Sequence, residues 1–286
     1  MAIHTELVTV LQTDFERLKQ YLIALPVDAW TTPSACALWE IRDVMAHLIF
    51  AANSYTDRIT RGLRGETSTP EGHPQPGSFH TIWQKERQQL ATAAAQRMIA
   101  FRERLGQELL DVFCTTGDHV NHLVARLRPH EWESPCYDAR GLLPLRALVM
   151  ELVFERAIHG WDIRSALEPS VHLSPDVLAV IPEHVAVCVP WRFLPRARLL
   201  TPIRYRFACP GALNKTWDIV VEGDTAHMGP ATDAAPANAT FSCEIETFVL
   251  MMCGRIGLDA ALGDKRIIPT GDMAVAQAFK TWFQGV

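Results

Sequence analysis

The sequence predicts an all-α four-helix bundle followed by a smaller α+β domain, with the boundary between residues 1–168 and 169–286. Three observations predict it. Apolar residues recur at spacings of three and four from the start of the chain to about Leu167, which places them on one face of successive helices. After Glu168-Pro169 the texture changes to alternation with period two, the mark of half-buried strands. Strands that follow a run of helices argue for a second layer type and hence a second domain.

The first helix carries Val8, Leu11, Phe15, Leu18, Leu22 and Leu25 on one seam, and Pro26 ends it. So narrow a seam suits nearly antiparallel bundle neighbours. A second helix runs from about Ile41 to Leu63 with Ile41, Val44, Met45, Leu48 and Ile49 inward. Residues 65–77 are rich in Pro and Gly, a loop long enough to read as a lid or spacer. The third helical region spans roughly 80 to 127, keeps Leu105, Leu109, Val112, Val120, Leu123 and Leu127 on one face, and breaks near Gly106 or Gly117. The fourth starts near Pro144, whose fixed φ suits a first turn, and runs to about Leu167. Residues 174–190 read as helical, Ile203 to Phe207, Trp217 to Val221 and Ala239 to Cys243 as strands, and 245–253 and 272–283 as closing helices.

A net charge of −5 lacks the basic excess that phosphate neutralisation requires, so nucleic acid is not an expected partner. No apolar run is long enough to span a bilayer, so no membrane is expected either. Met1 to Glu6 shows no basic segment leading into an apolar one, and a cytoplasmic location is the expectation. Seven cysteines, odd in number and without a C-x-x-C pair, suggest neither a zinc ribbon nor a disulfide framework. Most read as small buried hydrophobes in a reducing compartment.

The chemistry concentrates on the fourth helix. Glu155 and His159 are separated by one turn and share a face, and they continue the apolar stripe of Leu145, Leu148 and Leu152. A carboxylate carried towards a core must be paired, protonated or bound to a metal. His47, mid-helix among Val44, Met45, Ala46, Leu48 and Ile49, is the best third ligand. Two imidazoles and one carboxylate make an open site with positions left for water or substrate. Periodicity leaves other readings standing: Glu155 and His159 hydrogen-bonded to each other, or His47 as a satisfied core residue. His119 and His122, three apart beside Asp118, form a rival pair, although they lie off the apolar stripe. Asp162, one turn beyond His159, reads equally as a carboxylate that orients an imidazole or as a solvated end-of-helix carboxylate. Arg58 continues the stripe of His47, Ala51 and Ser54, about 16 Å along the axis from His47, where it reads as an exposed arginine near a helix end or as a partner for a carboxylate of a bound ligand.

Thr32-Pro33-Ser34-Ala35-Cys36-Ala37-Leu38-Trp39 followed by Glu40-Ile41-Arg42-Asp43-Val44-Met45-Ala46-His47-Leu48 resembles the opening signature of the mycothiol-dependent maleylpyruvate isomerase family. Glu155-x-x-x-His159-Gly160-Trp161-Asp162 resembles its second signature, and Ala239 to Arg255 with Thr270 to Phe279 is similar to its C-terminal domain. The resemblance implies a DinB-like bundle with a sterol-carrier-like second domain and a metal triad of His47, Glu155 and His159. It also implies a divalent ion, usually zinc, that binds a low-molecular-weight thiol such as mycothiol for addition to a small electrophilic substrate. Departure of the thiol after bond rotation gives cis–trans isomerisation, and its retention gives S-conjugation. The Gly254-Arg255 pair matches one that recurs in the family's second domain, which suggests Arg255 as the reader of a substrate carboxylate. The alternatives are a hydrolase using metal-bound hydroxide and a non-enzymatic protein holding a small ligand. Two imidazoles and a carboxylate also suit Fe(II), Ni(II) or Mn(II).

Overall fold

A computed structural model describes residues 2–76, 78–194, 199–232 and 235–283. The chain divides into two compact units, Met1–Val177 and Leu178–Val286.

The first unit is helical. Helix α1 spans Ala2–Ala24 and buries Leu7, Val10, Leu11, Phe15, Leu18 and Leu22. Its inward seam therefore passes through Leu7 and Val10, with Val8 only half-buried. Helix α2, Ile41–Leu63, starts in a capping box in which Glu40 and Asp43 satisfy each other's backbone N–H groups. Its Ile41, Val44, Met45, Leu48 and Ile49 are all buried. The third helical region bends once: α3 covers Ser78–Leu105 and α4 covers Leu109–Ala125, parted at Gly106, where φ is +53°. Gly117, the other possible break, lies inside α4 for a packing reason. A Cβ there would stand 2.1 Å from Cζ of Phe15, so only glycine lets α1 approach so closely.

Between α4 and α5 lies a hairpin that periodicity does not reveal, β1 Pro135–Asp138 antiparallel to β2 Gly141–Pro144. Helix α5, Leu145–Ser165, follows Pro144 directly and buries Leu145, Leu148, Val149, Leu152 and Val153. Helices α1, α2, α4 and α5 form the bundle: α2 packs on α4 and α5, and α1 packs on the same two. The core between them joins Phe15, Leu18 and Leu22 to Met45, Ile49, Phe113 and Ile163.

The second unit is α+β. Helix α6, Pro175–Val180, leads across the division, and α7, Pro182–Arg192, restarts at a proline in its first turn. A five-stranded sheet has the order β5-β4-β3-β6-β7, from β3 Ile203–Cys209, β4 Lys215–Glu222, β5 Thr225–Pro230, β6 Ala239–Cys243 and β7 Ile267–Gly271. Only β3 and β6 run parallel. The predicted alternation appears in β3, which buries Tyr205, Phe207 and Cys209. Helices α8 Ile245–Met252, α9 Leu258–Gly263 and α10 Met273–Trp282 complete the unit. Rings of Phe207, Phe241, Phe248 and Phe279 meet at 5.0 to 5.5 Å in its core. No helix among the described residues is long and apolar enough to cross a membrane.

Candidate metal centre

Two bundle helices deliver one cluster. On α5, Glu155 and His159 face α2 from adjacent turns, and on α2 His47 faces them. His47 Nε2 stands 3.1 Å from Glu155 Oε2, and His159 Nε2 stands 3.4 Å from the same oxygen. The two imidazole rings meet edge to face with centroids 4.5 Å apart. One ligand atom from each of the three residues lies within 4.8 Å of the others. The side chains are 23% (His47), 29% (Glu155) and 13% (His159) exposed, so the cluster sits below the surface yet is not sealed from it.

Electrostatics differ sharply across the cluster. Burial, then the neighbouring charge of His159, holds His47 below the usual histidine range. Burial opposes ionisation of Glu155, but hydrogen bonds from His159 and His47 prevail and hold its carboxyl well below the usual range. Burial likewise opposes charge on His159, but hydrogen bonds to Asp162, Cys36 and Glu155 push it well above the ordinary value. Two carboxylates therefore converge on one ring.

Asp162 supplies the second of those carboxylates. Its Oδ2 lies 2.9 Å from His159 Nδ1, and its side chain is 0% exposed. The same oxygen accepts the thiol of Cys36 at 3.0 Å. Trp39 packs over both imidazoles, with ring centroids 5.2 Å from His47 and 6.2 Å from His159. Sequence does not single Cys36 out from the other cysteines, because its contact depends on how a loop folds against a helix 126 residues further along.

Arg58 does not stand free on the α2 stripe. Its Nη1 donates to Asp138 Oδ2 at 2.8 Å, and its guanidinium lies 4.4 Å from the Tyr55 ring centroid. Asp138 also accepts from Arg140 at 2.6 Å, and Arg140 reaches Glu151 at 2.5 Å, one turn before Glu155. The unforeseen hairpin therefore brings Asp138 and Arg140 to this wall. Burial raises the Glu151 carboxyl above its usual range. Arg58 Nε is buried without a partner among the described residues. Arg255 belongs to the second unit, where its Nη1 donates to the Cys253 carbonyl at 2.8 Å. His119 and His122 are exposed on α4, and His122 Nδ1 lies 2.8 Å from the Asp118 carbonyl, which marks a solvated face.

Residues 11–164 match the family described as mycothiol maleylpyruvate isomerase N-terminal domain, and residues 196–284 match the SCP-2 sterol transfer family. Among solved structures the fold is similar to that of the mycothiol-dependent maleylpyruvate isomerase and of a histidine-to-alanine mutant of it. Each has a TM-score of 0.61 and 13% identity, covering 93% of this chain and 92% of the other. No curated protein matches the chain.

Proposed function

The chain belongs to the family of the mycothiol maleylpyruvate isomerase N-terminal domain, and on that premise we propose that it is a thiol-dependent isomerase or S-transferase whose His47, Glu155 and His159 hold a divalent metal ion. The convergence of these three side chains, within 4.8 Å of one another, carries the reading. The donor set fits a cation: His47 is held below the usual histidine range, the Glu155 carboxyl well below the usual carboxylate range, and His159 is flanked by two carboxylates that would equally favour a metal ion. Zinc is the proposed metal, since imidazole and carboxylate are among its ordinary ligands.

A divalent ion held by His47, Glu155 and His159 would lower the pKa of a bound thiol and so supply a nucleophile at neutral pH without a protein base. The protein's own residues do the rest. Asp162 keeps a proton on Nδ1 of His159 and so leaves Nε2 turned towards Glu155. Three protein donors leave room for a small exogenous ligand, and the partial exposure of all three gives it a route in. Arg58, paired with Asp138 at 2.8 Å, is proposed to turn a remaining N–H to a polar group of the thiol cofactor, mycothiol or an equivalent, or to a carboxylate of the substrate. Arg255 is proposed to read a substrate carboxylate by bidentate hydrogen bonding. A cytoplasmic location is proposed, in keeping with seven cysteines that form no C-x-x-C pair.

Elemental analysis of the purified protein, then assay of maleylpyruvate isomerisation with and without mycothiol, tests the reading. One ion per chain and turnover that requires the thiol support it. Turnover independent of thiol points instead to the hydrolytic use of the same triad, and a metal-free protein retaining an apolar ligand points to a carrier.

A further inference from the structure

The turn that precedes α2 is unusually constrained for an exposed connection. Pro33 and Glu40 close it by a backbone bridge. Ser34 N donates to the Trp39 carbonyl at 2.9 Å, and Trp39 N donates to the Cys36 carbonyl at 3.2 Å. Ser34 Oγ donates to the Trp39 carbonyl at 2.9 Å and accepts from Cys36 N at 3.1 Å. Leu38 adopts φ +71°, a left-handed conformation that non-glycine residues hold only where their surroundings impose it. Leu38 is itself 70% exposed, so its own packing does not explain the shape. What the turn achieves is the placement of its neighbours. Ala35 N donates to the Asp162 carbonyl at 3.2 Å, Cys36 Sγ donates to Asp162 Oδ2 at 3.0 Å, and Trp39 covers both imidazoles.

We propose that the 33–40 turn is a positioning element of the metal centre, in which Cys36 holds the carboxylate that orients His159. The inference rests on the metal reading above. Oδ2 of Asp162 is fully buried and accepts two donors, the imidazole Nδ1–H and the thiol. A buried carboxylate oxygen retains its orientation only while its donors are in place. Without the thiol, Asp162 gains freedom to turn, and the His159 ring loses the support that aims Nε2 at Glu155. In this proposal Cys36 acts through Asp162 and stands outside the His47–Glu155–His159 triad: its sulfur lies on the Nδ1 side of the ring, 3.6 Å from that nitrogen and grouped with Asp162, whereas Glu155 lies on the Nε2 side. Serine replaces the thiol with another donor, and alanine removes the donor.

Zinc affinity by chelator competition, and the His159 Nδ1–H resonance in ¹⁵N-histidine-labelled protein, are compared for wild type, Cys36→Ser and Cys36→Ala. The expected result is zinc binding about tenfold weaker in Cys36→Ala, the lower end for a residue that orients a ligand, with affinity restored to near wild type in Cys36→Ser. The Nδ1–H resonance is expected to persist in wild type and Cys36→Ser and to broaden by solvent exchange in Cys36→Ala. Equal affinities and equal resonances in all three proteins overturn the proposal. A thiolate-to-cobalt absorption band in Co(II)-loaded wild type that vanishes in Cys36→Ser also overturns it, by making Cys36 a ligand. The resonance is recorded on metal-free protein too. If wild type binds no zinc, the metal reading fails while this comparison still decides whether Cys36 holds the Asp162–His159 pair.

Discussion

His159 Nδ1 lies 2.9 Å from Asp162 Oδ2, which fixes the ring between a carboxylate one turn ahead and another one turn behind on the same helix. A histidine held in this way keeps one tautomer and one orientation, so Asp162 governs how well His159 serves as a ligand. Asp162→Ala is expected to weaken zinc binding about 10- to 100-fold, the cost usual for losing such a partner. Chelator competition measures it, and an unchanged helical circular dichroism spectrum distinguishes it from unfolding.

How much of this was legible in the sequence depends on the range of the contact involved. Helix α2 is readable to its ends, because the capping pair Glu40 and Asp43 and the inward Ile41, Val44, Met45 and Leu48 are all local signals. The break at Gly106 is local too. The hairpin at 135–144 is not readable, since each strand has four residues and a proline at its outer end, too short for an alternating pattern. Strand β7, with Pro269 inside it, and the six-residue α9 escape for the same reason. In the site, the spacing of Glu155 and His159 places them on one face and the apolar setting of His47 makes it a candidate third ligand, but that His47 meets them is tertiary geometry that the family resemblance, not the spacing, singles out. The pairing of Arg58 with Asp138 is invisible in advance because the hairpin that carries Asp138 was itself unseen.

That hairpin gives a stability prediction. Asp138 is only 8% exposed and accepts from both Arg58 and Arg140. Asp138→Ala leaves two neighbouring guanidinium groups with Glu151 as their remaining acid, a change that costs about 3 kcal/mol. In a unit of this size that corresponds to a Tm drop of about 6 to 12 °C, read by thermal melting. Arg58→Ala, in contrast, is expected to raise the thiol Kd while the metal content stays at the wild-type level.

Gly117 makes a sharper packing test. Glycine inside a helix normally gives way to alanine with a gain of about 1 kcal/mol. Here the added methyl would stand 2.1 Å from Phe15 Cζ. Gly117→Ala should therefore destabilise, by about 1 to 3 kcal/mol, and the double variant with Phe15→Leu should recover part of the loss. Urea denaturation of the single and double variants checks both statements.

Asp14 on α1 predicts a pH dependence. Burial raises its carboxyl from 3.8 to about 6, against the pull of Arg17 and Arg156, and its side chain is 19% exposed. The folded state therefore binds this proton more tightly than the unfolded chain does. Ionised Asp14 opposes folding above pH 6, and the penalty fades as the pH falls through 6 towards 4. Its full size is about 3 kcal/mol. Asp14→Asn should be more stable than wild type at pH 8, and the difference should narrow steadily to pH 5 in parallel denaturation curves.

The metal content of the purified protein tests the central claim most directly. Inductively coupled plasma analysis should find about one divalent ion per chain in wild type, and a large loss of it in His47→Ala, Glu155→Ala and His159→Ala, each still folded by circular dichroism. A wild type that takes up no stoichiometric metal, or three variants that retain it undiminished, would contradict the account.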